Sequence, residues 1–186
     1  MRFYTSQRSS KRRHLDEDEH PVTLTFSKRL SLATRWIIHQ SYLASEHYHL
    51  INYGIGGQIE VHVDFWGPGN LDPHPGGDRT STILGYGSNF VGGYTIFPGL
   101  GVYVKPRKGD ALFWLTLNNN REYDSRMFHM GCPVVYGSKW LATKWLYSDD
   151  QMFMHPCLAK ADPGDNFPPF SNNQKFTNDF NLLLDG

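Results

Sequence analysis

The residues best suited to chemistry lie in one short stretch, IEVHVDF, residues 59–65. Read as a strand it alternates, with Ile59, Val61, Val63 and Phe65 on one face and Glu60, His62 and Asp64 on the other. Two residues apart, His62 and Asp64 leave the same face roughly 7 Å from each other, so an imidazole and a carboxylate can converge on one metal ion. A third ligand has to come from elsewhere, and His129 in RMFHMGCPV is the candidate. Two histidines and one carboxylate on one side of a metal, with open positions opposite, describe the facial triad of a non-haem iron(II) centre.

The other histidines carry less. His14, His20, His39, His47, His49, His74 and His155 sit in polar or helix-like runs with no carboxylate at metal spacing, which predicts surface or capping roles. Lys139 is different. In GSKWLATKWLY the alternation puts Lys139, Leu141, Thr143, Trp145 and Tyr147 on one face. An ammonium on a mostly apolar face has to find an anion or bear a desolvation cost. A bound carboxylate meets that need, and the plainer alternative is a lysine snorkelling at a strand end beside Gly137. A zinc hydrolase built on the same three ligands gives Lys139 no role. No Ser/His/Asp arrangement, P-loop or dinucleotide fingerprint competes.

These residues need a scaffold. The 186 residues suit one domain with a substantial core. The balance of 18 basic and 18 acidic residues points neither to nucleic acid nor to an anionic membrane. No apolar run approaches the ~20 residues that span a bilayer. The first residues, MRFYTSQRSSKRRH, lack the apolar core of a secretory signal, which taken literally implies a cytosolic chain.

Residues 7–20, a basic run followed by an acidic one, read as a solvated loop. A helix is predicted from about Ser27 to Ser45, with Ser27 as N-cap and Leu30, Ala33, Ile37, Ile38 and Tyr42 on its apolar face. Short strands then follow one another: HYHLINYG, IEVHVDF, RTSTILGYG from Arg79, YTIF, VYVKP, ALFWLTL, FHMGCPVVYG and KWLATKWLY. Gly92-Gly93 marks a turn, and KPRKGD reads as a hairpin with Gly109 at positive φ. Six to eight strands with Gly and Pro punctuation predict a mainly β sandwich or jelly roll with a helix on one side. The tail beyond Cys157 is rich in Pro, Asn and Asp, so residues 1–157 are read as the domain and 158–186 as an irregular extension. Cys132 and Cys157 fit no zinc motif. They are either buried thiols, which the sequence alone favours, or one bridge worth about 3 kcal/mol.

Taken together, NYGIGGQIEVHVDF, GGDRTSTILGY, GGYTIFPGLGVYVKPRKGDALFW and HMGCPVVYGSKWLATKW, with the closing PC, resemble the catalytic domain of collagen prolyl 4-hydroxylase alpha subunits. Those are Fe(II)- and 2-oxoglutarate-dependent dioxygenases with a double-stranded β-helix (jelly-roll) fold. The match runs in order from about Asn52 to Cys157, with a fainter echo before it. The resemblance implies iron on His62, Asp64 and His129, and the far carboxylate of 2-oxoglutarate on Lys139. It gives Thr95 and Tyr53 to the same pocket, makes Trp145 a wall, and turns Arg79 and Tyr147 toward the peptide. It also implies a Cys132–Cys157 disulfide, reversing the preference above, and with it the lumen of the endoplasmic reticulum. The implied substrate is peptidyl proline in procollagen or another proline-rich chain. Ascorbate is the implied auxiliary reductant, and protein disulfide isomerase the usual partner subunit.

Two positions depart from the family pattern. Ile59 stands where the family has Tyr, and Tyr147 where it commonly has His, both on the substrate side. Set against a full alpha subunit, the chain is expected to be truncated before its first strands. A catalytically impaired dioxygenase fold acting as a binding module is the alternative reading.

Overall fold

The computed structural model describes residues 10–38, 43–67, 74–118 and 120–156. Its strands are β1 (Lys11–Leu15), β2 (Tyr48–Tyr53), β3 (Ile59–His62), β4 (Arg79–Tyr86), β5 (Phe90–Gly92), β6 (Thr95–Phe97), β7 (Val102–Val104), β8 (Ala111–Leu115), β9 (His129–Gly131), β10 (Val134–Gly137) and β11 (Lys139–Tyr147). The helices are α1 (Pro21–Thr34) and the single turn α2 (Ser148–Gln151). A five-stranded sheet runs β1-β2-β11-β4-β8, a four-stranded sheet runs β3-β9-β6-β7, and β5 pairs with β10. Every pairing is antiparallel.

The two larger sheets bury one core between them. Ile51 and Tyr53 of β2, Leu84 and Tyr86 of β4, Trp114 of β8 and Leu141 of β11 meet Ile59 of β3 and Phe97 of β6 there. A second cluster, Leu30, Trp36, Ile38, Tyr48, Ile83 and Leu146, closes the opposite face of the five-stranded sheet, where α1 packs. Two sheets with a helix outside one of them make the jelly roll that the strand spacing predicted.

Several local expectations need correction. The basic run is not a loop: its residues 11–15 form β1, in register with β2 from Lys11↔Asn52 to Leu15↔Tyr48. Lys11 to His14 stay exposed because β1 is an edge strand, where Lys and Arg are compatible with pairing on one side only, while Leu15 packs against the helix-side cluster. The acidic run is only partly solvated. Glu17 reaches inward to Lys144 Nζ at 2.7 Å and accepts from Ser27 Oγ at 2.7 Å.

The helix also starts and stops earlier than its apolar spacing implied. His20 is the N-cap, its Nδ1 accepting from Val22 N, and Pro21 fills the first turn, where its missing N–H costs nothing. Ser27 lies buried inside the helix, bonded to Tyr48 Oη at 2.7 Å. Arg35, at φ 62°, ends it in the left-handed conformation. Finally, KPRKGD is not a hairpin. Gly109 does sit at φ 91°, but β7 pairs with β6 and β8 with β4, so the turn carries the chain from one sheet to the other.

Candidate metal and co-substrate site

The cleft between the sheets gathers the predicted ligands from two strands and the loop after one of them. His62 ends β3, Asp64 follows it, and His129 begins β9 directly across the ladder. His62 Nε2 lies 3.8 Å from Asp64 Oδ1, and His129 Nε2 lies 3.6 Å from Asp64 Oδ2. One ligand atom from each residue falls within 4.8 Å of the other two.

Strict alternation does not survive in β3. Ile59 pairs with Gly131 and His62 with His129, three residues on one strand against two on the other. The extra residue is a β-bulge, and it flips the side-chain parity. Ile59 therefore lines the same cleft as His62, while Val61 is left largely exposed.

The side chains are arranged for a cation. His62 Nδ1 meets the carbonyl of Glu60 at 2.8 Å and His129 Nδ1 meets the carbonyl of Met127 at 3.0 Å. A carbonyl can only accept, so both Nδ1 atoms donate and both Nε2 atoms are turned toward the carboxylate. Burial alone raises the Asp64 carboxyl, but His129, His62 and the hydroxyl of Thr82 outweigh it and hold the group below its ordinary value. Two imidazole Nε2 atoms convergent on one buried carboxylate are a donor set that fits a divalent metal.

Further along the cleft stands Lys139, 3% exposed, its Nζ donating to the carbonyl of Gly93 at 2.6 Å. The rings of Tyr53, Tyr86 and Phe90 surround it at 5.7, 6.0 and 5.7 Å. No carboxylate pairs with it among the described residues. Burial brings its pKa down to about 8, against a smaller opposing influence from Cys132. A cleft with a metal-ready triad and a separate buried cation suits a ligand that chelates at one end and carries a carboxylate at the other.

Comparison with known proteins agrees with that geometry. The family model described as the 2OG-Fe(II) oxygenase superfamily matches residues 48–147, from β2 to the end of β11. The chain belongs to this superfamily. It is 37% identical over 154 residues to "Prolyl 4-hydroxylase subunit alpha-2" of Gallus gallus, covering 82% of this chain and 28% of that protein. The Caenorhabditis elegans subunit of the same name is 34% identical over 178 residues, covering 91% and 32%. The chain thus spans about a third or less of these relatives. Among solved structures, the viral collagen prolyl hydroxylase of Paramecium bursaria Chlorella virus-1, in its 2OG complex, aligns with a TM-score of 0.61 at 25% identity, covering 76% of this chain and 80% of that one. A Pseudomonas putida prolyl-4-hydroxylase shares the fold, with a TM-score of 0.53 at 17% identity. As members of this superfamily do, the protein uses Fe(II) and 2-oxoglutarate.

The remaining predicted site residues of this 2OG-Fe(II) oxygenase divide into two groups. Thr95, Tyr53 and Trp145 line the cleft with Lys139. The hydroxyl of Thr95 lies 2.8 Å from that of Tyr86. Arg79 and Tyr147 are not among the residues that line this cleft. The Arg79 guanidinium forks onto Glu46, packs 3.9 Å from the Trp145 ring and donates to the main-chain oxygen of Asp64 at 3.2 Å. These contacts tie the Arg79 guanidinium to Glu46, Trp145 and the Asp64 main chain. Tyr147 is buried and stacks on His74 at 3.9 Å. Cys132 is half-buried, and Cys157 lies outside the described residues, as do His39 and the tail 158–186.

Sequence reasoning missed Glu46, Asp78, Thr82 and the carbonyl of Gly93. Burial pushes the Glu46 carboxyl up, yet hydrogen bonds and charge from His49 and Arg79 bring it to about 2. His49, assigned to the surface, is instead buried between Glu46 and Trp145. Asp78 accepts from the main-chain nitrogens of Trp66, Gly67 and Arg79, tying the chain after Asp64 to the start of β4. The contacts of Glu46 with Arg79, of Thr82 with Asp64 and of Gly93 with Lys139 have no spacing signature, because each joins residues 18 to 46 positions apart that only the fold brings together.

Proposed function

We propose that the chain is a prolyl 4-hydroxylase acting on peptidyl proline in collagen-like or other proline-rich chains. His62, Asp64 and His129 hold the iron. Lys139 takes the far carboxylate of 2-oxoglutarate, with Thr95 and Tyr53 beside it and Trp145 as a wall. When bound, iron and 2-oxoglutarate supply the oxidising chemistry, turning dioxygen and the co-substrate into succinate, carbon dioxide and a hydroxylated C–H bond. The protein's residues orient and exclude. The Nδ1–H bonds fix both imidazoles, Lys139 sets the depth of the co-substrate, and the aromatic walls keep bulk water from the buried ammonium. The observation that carries this reading is Lys139, a buried cation with no carboxylate partner among the described residues, at one end of a cleft whose other end is the His62, Asp64 and His129 cluster.

The relatives' names support the prolyl substrate. The further attributes of that reading are ascorbate as auxiliary reductant, the lumen of the endoplasmic reticulum, and a protein disulfide isomerase subunit as partner. A disulfide between Cys132 and Cys157 belongs to the same reading. The apolar Ile59 in the cleft favours a second reading, in which the fold binds proline-rich chains without hydroxylating them.

Succinate release by the purified protein with Fe(II), ascorbate and a proline-rich peptide separates the two. Coupled succinate and hydroxyproline formation is expected. Succinate without hydroxyproline rejects the substrate, and no turnover in a folded, iron-loaded sample rejects the enzyme. His129→Ala is expected to abolish iron retention after gel filtration, and wild-type retention in that variant would refute the ligand assignment.

A further inference from the structure

Asp64 is held by more than its place in the chain. Its Oδ2 accepts from Thr82 Oγ1 at 2.7 Å, and its main-chain oxygen accepts from Arg79 Nη1 at 3.2 Å. No hydrogen bond reaches Oδ1 among the described residues. Thr82 is itself rigidly placed. It is 1% exposed on β4, with Trp145 of β11 in register on one side and Trp114 of β8 on the other. A β-branched side chain between two indoles has little rotamer freedom, and its buried hydroxyl is already committed to the carboxylate.

We propose that Thr82 is a positioning residue for the metal, occupying one oxygen of Asp64 so that the carboxylate ligates through the other alone. The proposal rests on the reading of His62, Asp64 and His129 as the iron ligands. Its consequence is chemical. A carboxylate free to rotate can take two metal positions, whereas one pinned through Oδ2 takes one and leaves room for a chelating co-substrate and dioxygen. Partners that orient a metal's ligands in this way are typically worth about 10- to 100-fold in metal affinity.

The test uses Thr82→Val, which keeps the shape and removes the donor, and Thr82→Ser, which keeps the donor. Metal affinity is measured by anaerobic Fe(II) titration, and coordination by the visible absorption of the Co(II)-substituted protein. Thr82→Val is expected to weaken Fe(II) binding about tenfold or more and to change the Co(II) spectrum toward a higher coordination number. Thr82→Ser is expected to restore both. Wild-type affinity and spectrum in Thr82→Val would overturn the proposal, as would a serine variant that behaves like valine. If Thr82→Val does not fold, Thr82→Ala, which adds no bulk, gives the same two readouts. A wild-type protein that binds neither metal more tightly than His129→Ala refutes the ligand reading instead, an outcome distinct from wild-type binding that Thr82→Val leaves unchanged.

Discussion

Two lysines on β11 are buried to nearly the same degree, Lys139 at 3% exposure and Lys144 at 2%, and they point into opposite halves of the molecule. Lys144 faces the helix side. Glu17 meets it at 2.7 Å, and the Tyr48 ring lies beneath it at 4.6 Å. Lys139 faces the cleft and finds one carbonyl and three aromatic rings. Burial lowers the pKa of both, but only Lys144 has a carboxylate opposing that shift. The same residue type thus serves two ends. One ammonium is neutralised within the fold, and the other meets no carboxylate among the described residues, as the proposed co-substrate site requires.

The comparison predicts opposite consequences for the same substitution. Lys144→Met leaves the half-buried Glu17 without its cation and is expected to cost about 3 kcal/mol in chemical denaturation, the low end for breaking a buried pair. Its effect on 2-oxoglutarate affinity, where the protein remains folded, should be under about twofold. A stability loss below about 1 kcal/mol would mean that Lys144 is not a structural pair.

Lys139→Met is expected to weaken 2-oxoglutarate binding by about 100-fold, near 3 kcal/mol, with iron binding kept. Without co-substrate it should cost no stability. Equal losses of iron in Lys139→Met and His129→Ala would break the division of roles.

The smallest effect is in the pH profile. Burial brings the Lys139 pKa in the folded chain to about 8, against an ordinary lysine value of 10.5, so the unfolded chain binds the extra proton between those limits. The stability of the wild type without co-substrate should therefore rise with pH from about 8 to about 10.5, relative to Lys139→Met. Affinity for 2-oxoglutarate runs the other way, steady below about pH 8 and falling above it as the ammonium is lost. Parallel stability curves for wild type and Lys139→Met would contradict an unpaired Lys139.

How much of this was legible follows from the same contrast. The triad and Lys139 could be read because His62 and Asp64 are near neighbours in sequence, and because a lysine on an apolar strand face is anomalous on its own. Glu17 could not, since a carboxylate in an acidic run carries no mark of the partner that buries it. Thr82, Glu46 and Asp78 were hidden for a similar reason, as their partners lie across the sheet or beyond a loop. The jelly roll was legible from Gly and Pro punctuation. The helix boundaries were not, because His20 and Pro21 set the start where the apolar spacing did not point. The alternation in IEVHVDF failed at Ile59, since a bulge is a property of two strands and only one was in view.

That bulge also decides what the cleft wall is made of. Residue 59 and His62 share the cleft, and Gly131 opposite lets the Ile59 side chain lie close against the strand; a Cβ at Gly131 would stand 3.0 Å from Ile59 Cγ2 and 3.7 Å from Lys139 Nζ. Residue 59 therefore packs into the core on one side and against the cleft wall on the other, so a larger side chain there has to displace a neighbour. The extra residue puts a shape-setting side chain and a candidate metal ligand on one surface, three positions apart in the chain.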